Sequence, residues 1–447
     1  MPIMPIRFAG WARGGAGVLL AVALVAGCSK SDILTPDTPD VIPPEDLTSP
    51  QARGAIYAGA VSDLVVSATS ATGVVIYSGL FTDELMHAST PPAVREWDLR
   101  SVLNTNSVAT AGPNPATGAP GGPFIAVQRA RTALEFAAEK LPANDARTGE
   151  VLALAGMSYI FLGELWCSGT PVSQRDPTVE LGTPLTTAEL FARAIERLTA
   201  AAASTGGDAR IQNLIAVLRG RTLLDQGQFA AAAAAVASVP TTYVYNFIHG
   251  APPARQTNQI QLQTASDIYS VSDFEGTNGL NFASANDPRV PVLATGLSRN
   301  DGVTPMVVAK KYPSIDSPVA MVTGIEARVI EAEAALQGSN LTLWLQKLND
   351  ARATVTGLAP LTDPGTPAGR VDLTFRERAF WFYLTAHRLG DLRRLVNQYG
   401  RAKESVYPTG AYHKQGLTRG TQATLIVPHQ EENNPNYQAS ACTVNTP

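Results

Sequence analysis

Apolar residues recur three and four positions apart along much of this chain, the spacing of a single buried helix face. Thr48-Ser49-Pro50 is a cap followed by proline at the first helical position, and it predicts a helix to about Ser67. Alanine-rich amphipathic stretches predict helices over 124–141 and 148–166. The second carries Leu152, Met157, Ile160, Phe161 and Leu165 at apolar positions. Thr186 and Glu189 form a capping-box pattern that opens a helix to about Ala203. Residues 208–225 and 229–239 predict a helix pair turned at Gln226-Gly227-Gln228. Helices resume over 321–337 and 342–357, and the strongest pattern predicts one continuous helix over 372–398.

Two long segments break this rhythm. Residues 71–122 read as irregular, with an apolar run at 74–80, an acidic turn at Asp83-Glu84 and a loop over 104–123. Residues 241–320 open with Tyr243-Val244-Tyr245-Asn246-Phe247, which alternates like a short strand. They continue through turn signals at Asn286-Asp287-Pro288 and Asn300-Asp301-Gly302. So long a structureless stretch is improbable in a folded domain, so these segments predict a second lobe of loops, short strands and short helices. The body, 48–447, then divides into a helical scaffold (48–70, 124–240 and 318–398) and a variable lobe (71–123, 241–317 and 399–447). Polar insertions on a helical scaffold are the usual places for ligand sites.

Composition narrows the classes. Of the 447 residues, 45% are hydrophobic, which excludes global disorder. Only 16% are charged and the net charge is -4, so no basic field exists to hold nucleic acid. Three cysteines are too few for a disulfide-dense scaffold or a multi-cysteine metal framework.

Residues 1–27 read as a signal peptide. Arg7 and Arg13 precede an apolar stretch at 14–24 that is too short to span a bilayer. Val25-Ala26-Gly27-Cys28 resembles the lipobox of bacterial lipoproteins, which makes Cys28 the expected lipid attachment point. Several acyl chains anchor a protein stably where one does not. Residues 28–47 then form a proline-rich tether. In an oxidising compartment the remaining pair, Cys167 and Cys442, predicts a disulfide tying the tail to the scaffold.

Catalytic signatures are missing. There is no G-x-S-x-G, H-E-x-x-H or phosphate loop, and the five histidines show no metal spacing. Asp83 and Glu84, or Glu326, Glu331 and Glu333, could be paired carboxylates, but nothing fixes them across a sugar. No enzyme activity, cofactor or metal is expected. Arg388, Asp391 and Arg394, three apart, predict ion pairs along one helix rather than an anion site.

Leu223 to Phe229 with the following alanines resembles a tetratricopeptide hairpin, in which glycine makes the turn and small residues permit close approach. Five further motifs, in order, resemble the SusD/RagB family of outer-membrane nutrient-binding lipoproteins. They are Gly79-Leu80-Phe81-Thr82-Asp83-Glu84-Leu85, the helix at 153–166 with Gly169-Thr170-Pro171, and Lys310-Lys311-Tyr312-Pro313 with 326–334. The last two are Arg376-Glu377-Arg378-Ala379-Phe380 with 387–394, and the segment at 427–436. The resemblance implies a mainly α fold, a tetratricopeptide-like superhelix with an irregular second lobe. It implies a lipid-anchored outer-membrane protein, facing the cell surface, that binds an oligosaccharide or other oligomer for a SusC-like TonB-dependent transporter. The alternative from another class is a tetratricopeptide-type envelope scaffold that binds protein partners. Sugars are held by aromatic faces and planar polar groups, so the polar insertions offer Trp97, Arg95, Tyr77, Tyr243, Tyr245 and Tyr269 as ligand-binding candidates. Trp97, set among charges, is the foremost, and its loss is expected to weaken binding without altering the melting temperature.

Overall fold

The computed structural model describes residues 43–114, 117–176, 178–252 and 255–447. The expected signal peptide, the expected lipid attachment point Cys28 and most of the expected tether lie outside the described residues. Chain order begins with α1 (Pro50–Thr69), α2 (Val74–Phe81), β1 (Leu85–His87), α3 (Pro92–Asp98), α4 (Pro123–Lys140) and α5 (Ala146–Leu165). Four short strands follow: β2 (Thr170–Pro171), β3 (Gln174–Asp176), β4 (Thr178–Glu180) and β5 (Pro184–Leu185). Then come α6 (Thr187–Ala202), α7 (Ala209–Asp225), α8 (Phe229–Val236), β6 (Val244–Phe247), α9 (Gln259–Ala265), β7 (Tyr269–Val271), β8 (Val292–Leu297), β9 (Pro305–Ala309) and β10 (Val319–Thr323). The chain closes with α10 (Gly324–Gln337), α11 (Leu341–Arg352), α12 (Pro367–Trp381), α13 (Arg388–Asn397) and α14 (Lys403–Val406). Arg53–Pro447 packs as one unit.

The expected helical scaffold is present. Helices α4 to α8 each pack on the next, and α8 and α11 both pack on α10. The predicted capping box opens α6: Glu189 N–H donates to Thr186 Oγ1 at 3.2 Å, and Thr186 N–H donates to Glu189 Oε2 at 2.8 Å. The α7–α8 turn uses Gly227 at φ 72°, a region glycine enters freely. A side chain at Gly220 would lie 2.4 Å from Val236 Cγ1, so glycine sets the close approach of α7 to α8.

The strands form two-stranded antiparallel ribbons: β1–β7, β2–β5, β3–β4, β6–β10 and β8–β9. The alternation at 243–247 holds, because Tyr245 and Phe247 face the core while Val244 and Asn246 are exposed. The apolar run at 74–80, read as part of an irregular segment, is instead the fully buried helix α2. Short and surrounded by core on every side, it has no polar face from which a helical period could be read. Likewise 321–337 begins as strand β10 and becomes helix only after Thr323, which caps Glu326 N–H.

The continuous helix predicted over 372–398 is broken. Helix α12 stops at Trp381 and α13 starts at Arg388. Between them Leu384 and Ala386 adopt φ 53° and 63°, a left-handed conformation that costs non-glycine residues about 1–2 kcal/mol each. Contacts far away in sequence hold the bend. Leu384 N–H donates to Glu84 Oε1 at 2.8 Å, Tyr312 O–H to Leu384 O at 3.1 Å, and Lys311 Nζ to Tyr383 O. Cys167, after α5, is bonded to Cys442 in the tail, with Cα atoms 5.3 Å apart.

Candidate functional site

The aromatic candidates lie in the core. Trp97 is 1% exposed; its ring meets Tyr77 edge-on, centroids 4.8 Å apart, and its Nε1–H donates to Asn106 Oδ1 at 3.3 Å. Tyr77 and Tyr269 are buried beside it and interact with each other. Tyr243 and Tyr245 sit elsewhere, on and before β6: Tyr245 O–H donates to Glu150 and Tyr243 O–H to Arg210 O. With both ring faces covered by protein, these five offer no platform to a sugar. Arg95 alone of the six is only half-buried, donating to Gln415.

Asp98, next to Trp97, belongs to a buried carboxyl pair with Glu275. Arg419 donates to both carboxylates, Tyr412 O–H donates to Asp98 Oδ2 at 2.9 Å, and His87 N–H donates to the same oxygen at 2.7 Å. Burial pushes Glu275 well above the usual carboxylate range. Asp98 stays low despite burial, because Arg419 lies against it. Asp98, Glu275 and His413 have donor atoms near enough to share a metal ion. The guanidinium of Arg419 already supplies the cation that the two acids need.

The family-like motifs converge on a second buried polar network. Asp83 accepts both arms of Arg388, at 2.7 and 2.8 Å. Arg378 forks onto Asp391, Arg394 meets Glu333, and Arg221 pairs with Glu164 and lies 2.9 Å from His387 Nε2. Asp391 is thus shared between α12 and α13, and Arg388 reaches a distant loop instead of completing a ladder on its own helix. These acids neutralise buried arginines, and Glu164 and Arg394 also line an open cavity of about 200 Å³.

Burial raises Glu84 to about 8, from an ordinary 4.5. Between those values the folded chain keeps a proton that the unfolded chain has lost. Its contribution to stability is therefore complete below about pH 4.5 and is lost as pH rises towards 8. Glu84→Gln keeps an acceptor for Leu384 N–H and removes the titration. Denaturation at pH 5 and pH 8 is expected to show the variant gaining on wild type by up to about 1.4 kcal/mol per pH unit. A constant difference across that range would refute this.

An open cleft of about 220 Å³ lies where the scaffold meets the lobe insertions. Val66 comes from the end of α1, Ser70 and Thr72 from the α1–α2 turn, Thr117 to Pro120 from the long loop, Arg255 and Thr257 from the segment leading into α9, and Gln259 from its first position. Thr72 O–H donates to Gly121 O at 2.7 Å and fixes the loop against the turn. Arg255 donates to Asp63 at 2.6 Å, an acid that Arg129 also contacts at 3.4 Å, and Gln259 Nε2 donates to Thr257 Oγ1 at 2.6 Å. Ser70 Oγ is buried without a partner. Hydroxyls and an amide beside an ion-paired arginine suit an uncharged, hydrogen-bonding ligand. The sequence marks Thr72, Thr117 to Pro120 and Arg255 to Gln259 only as members of polar insertions and puts Val66 and Ser70 in the helical scaffold; their juxtaposition has no local signature.

No protein-family model and no curated protein matches the sequence. Solved structures do match. A SusD superfamily protein from Bacteroides vulgatus superposes with a TM-score of 0.63 at 14% identity, over 87% of this chain and 99% of its own. The chain has the SusD fold. A SusD superfamily protein from Parabacteroides distasonis gives 0.62 at 10% identity, over 87% and 98%. Surface glycan-binding protein A from Bacteroides thetaiotaomicron gives 0.61 at 12%, over 87% and 97%. The mainly α architecture implied by the sequence motifs is therefore the observed one. Within this SusD fold, the cleft at Ser70, Arg255 and Gln259 is a meeting place of lobe insertions and scaffold.

Proposed function

We propose that this protein is a lipid-anchored outer-membrane binding protein that captures a neutral oligosaccharide and passes it, unaltered, to a TonB-dependent transporter. The observation that carries the reading is the fold shared with Surface glycan-binding protein A, a glycan-binding protein by its name. The cleft supports it, since sugar hydroxyls both donate and accept, as Thr72, Thr257 and Gln259 do. The lipobox at Val25–Cys28 supports the anchor. Paired acids that are locked to arginines support binding without turnover.

Titration calorimetry against neutral oligosaccharides tests the cleft. Saturable binding is expected, weakened about tenfold or more by the double variant Thr257→Ala/Gln259→Ala, which removes two half-exposed hydrogen-bonding groups. Equal binding by wild type and variant would remove the cleft from the reading. Absence of binding across the panel would remove the oligosaccharide.

A further inference from the structure

A different cavity, of about 250 Å³, opens between β10, the start of α10 and the bend after α12. Its walls are mainly apolar, with Met321, Ile325, Val355, Trp381 and Phe382 contributing side chains. The charged groups on its rim are mostly satisfied among themselves. Arg289 is forked onto Asp287 and Glu377. Glu326 lies 3.3 Å from His387, which Arg221 also contacts.

Two donors in the wall stand apart. Trp381 Nε1 is buried and meets no acceptor. The Lys311 ammonium has three N–H bonds to give and donates to Tyr383 O alone. The acid that acts on it is Glu84, which keeps its proton to about pH 8. Burial draws Lys311 down to about 8, so at pH 7 it remains a cation without an ionised partner. A buried cation and a buried indole N–H both gain from an acceptor, and the adjoining surface gains from apolar contact.

We propose that this cavity binds a small amphipathic carboxylate, its aromatic or branched aliphatic body against Met321, Trp381 and Phe382 and its carboxylate held by Lys311 and the Trp381 indole N–H. The volume sets the size. An engineered apolar cavity of roughly 150 Å³ holds benzene, so this one takes about one ring with a short acid arm. The site is independent of the oligosaccharide cleft and shares no lining residue with it.

Phenylacetate is the probe, with benzyl alcohol as its uncharged counterpart, titrated into the purified full chain. Saturable binding of phenylacetate is expected, about tenfold tighter than benzyl alcohol. Lys311→Met keeps the bulk, and is expected to erase the preference for the acid. Trp381→Phe keeps a ring and removes only the N–H, and is expected to weaken phenylacetate several-fold while leaving benzyl alcohol unchanged. No binding of phenylacetate, equal binding of acid and alcohol to wild type, or identical affinities in wild type and Trp381→Phe would each overturn the proposal. Oligosaccharide binding in the same samples reports the separate cleft.

Discussion

Trp97→Ala is expected to lower the melting temperature by about 4–6 °C, the shift for a loss of about 3–5 kcal/mol in a chain of this length. The ring is 1% exposed, packs edge-on against Tyr77 and anchors Asn106 through its indole N–H. Asn106 in turn accepts from the backbone of Val108 and Ala109, so the substitution loosens the start of the long loop as well as opening a cavity. This reverses the expectation drawn from the sequence, in which Trp97 served the ligand and its loss spared stability. Calorimetric melting decides between them: an unchanged transition would return Trp97 to the surface role.

Asp83→Ala is expected to cost about 3–5 kcal/mol by chemical denaturation, because it strands a buried guanidinium. Asp83 takes both arms of Arg388 and also accepts from Leu280 N–H at 2.8 Å. Its loss uncouples the 79–85 segment from α13 and leaves a backbone donor unmet. The double variant Asp83→Ala/Arg388→Met tests the mechanism, since removing the stranded charge should recover part of the stability. If the double variant loses the sum of the two single losses, the pair is not coupled and the explanation fails.

The two variants mark where sequence reading succeeds and where it stops. Caps, turns and amphipathic periods are set by residues within a turn or two of one another. Thr186 with Glu189, the Gly227 turn and the α4–α8 helices were therefore legible. Motif order also pointed to the right fold, although the residues in those motifs act as buried ion pairs rather than as a ligand site. Aromatic residues near charges misled because Trp, Tyr and Phe serve cores and binding platforms alike. Only burial separates the two uses, and burial is a property of the assembled chain.

By itself, then, the sequence determined a helical scaffold with polar insertions and a cysteine pair, Cys167 and Cys442, that the fold joins. Tertiary structure decided the rest. It broke the 372–398 helix by giving Leu384 N–H a carboxyl oxygen 300 positions away, a contact no local period encodes. It buried Trp97, Tyr77 and Tyr269 in the core. It gathered Ser70, Arg255 and Gln259 into one cleft, and Lys311 and Trp381 into another. Helix propensity and capping are short-range forces and can be read along a line. Charge compensation and cavity formation depend on which distant segments meet in space, so they exist only once the chain has folded.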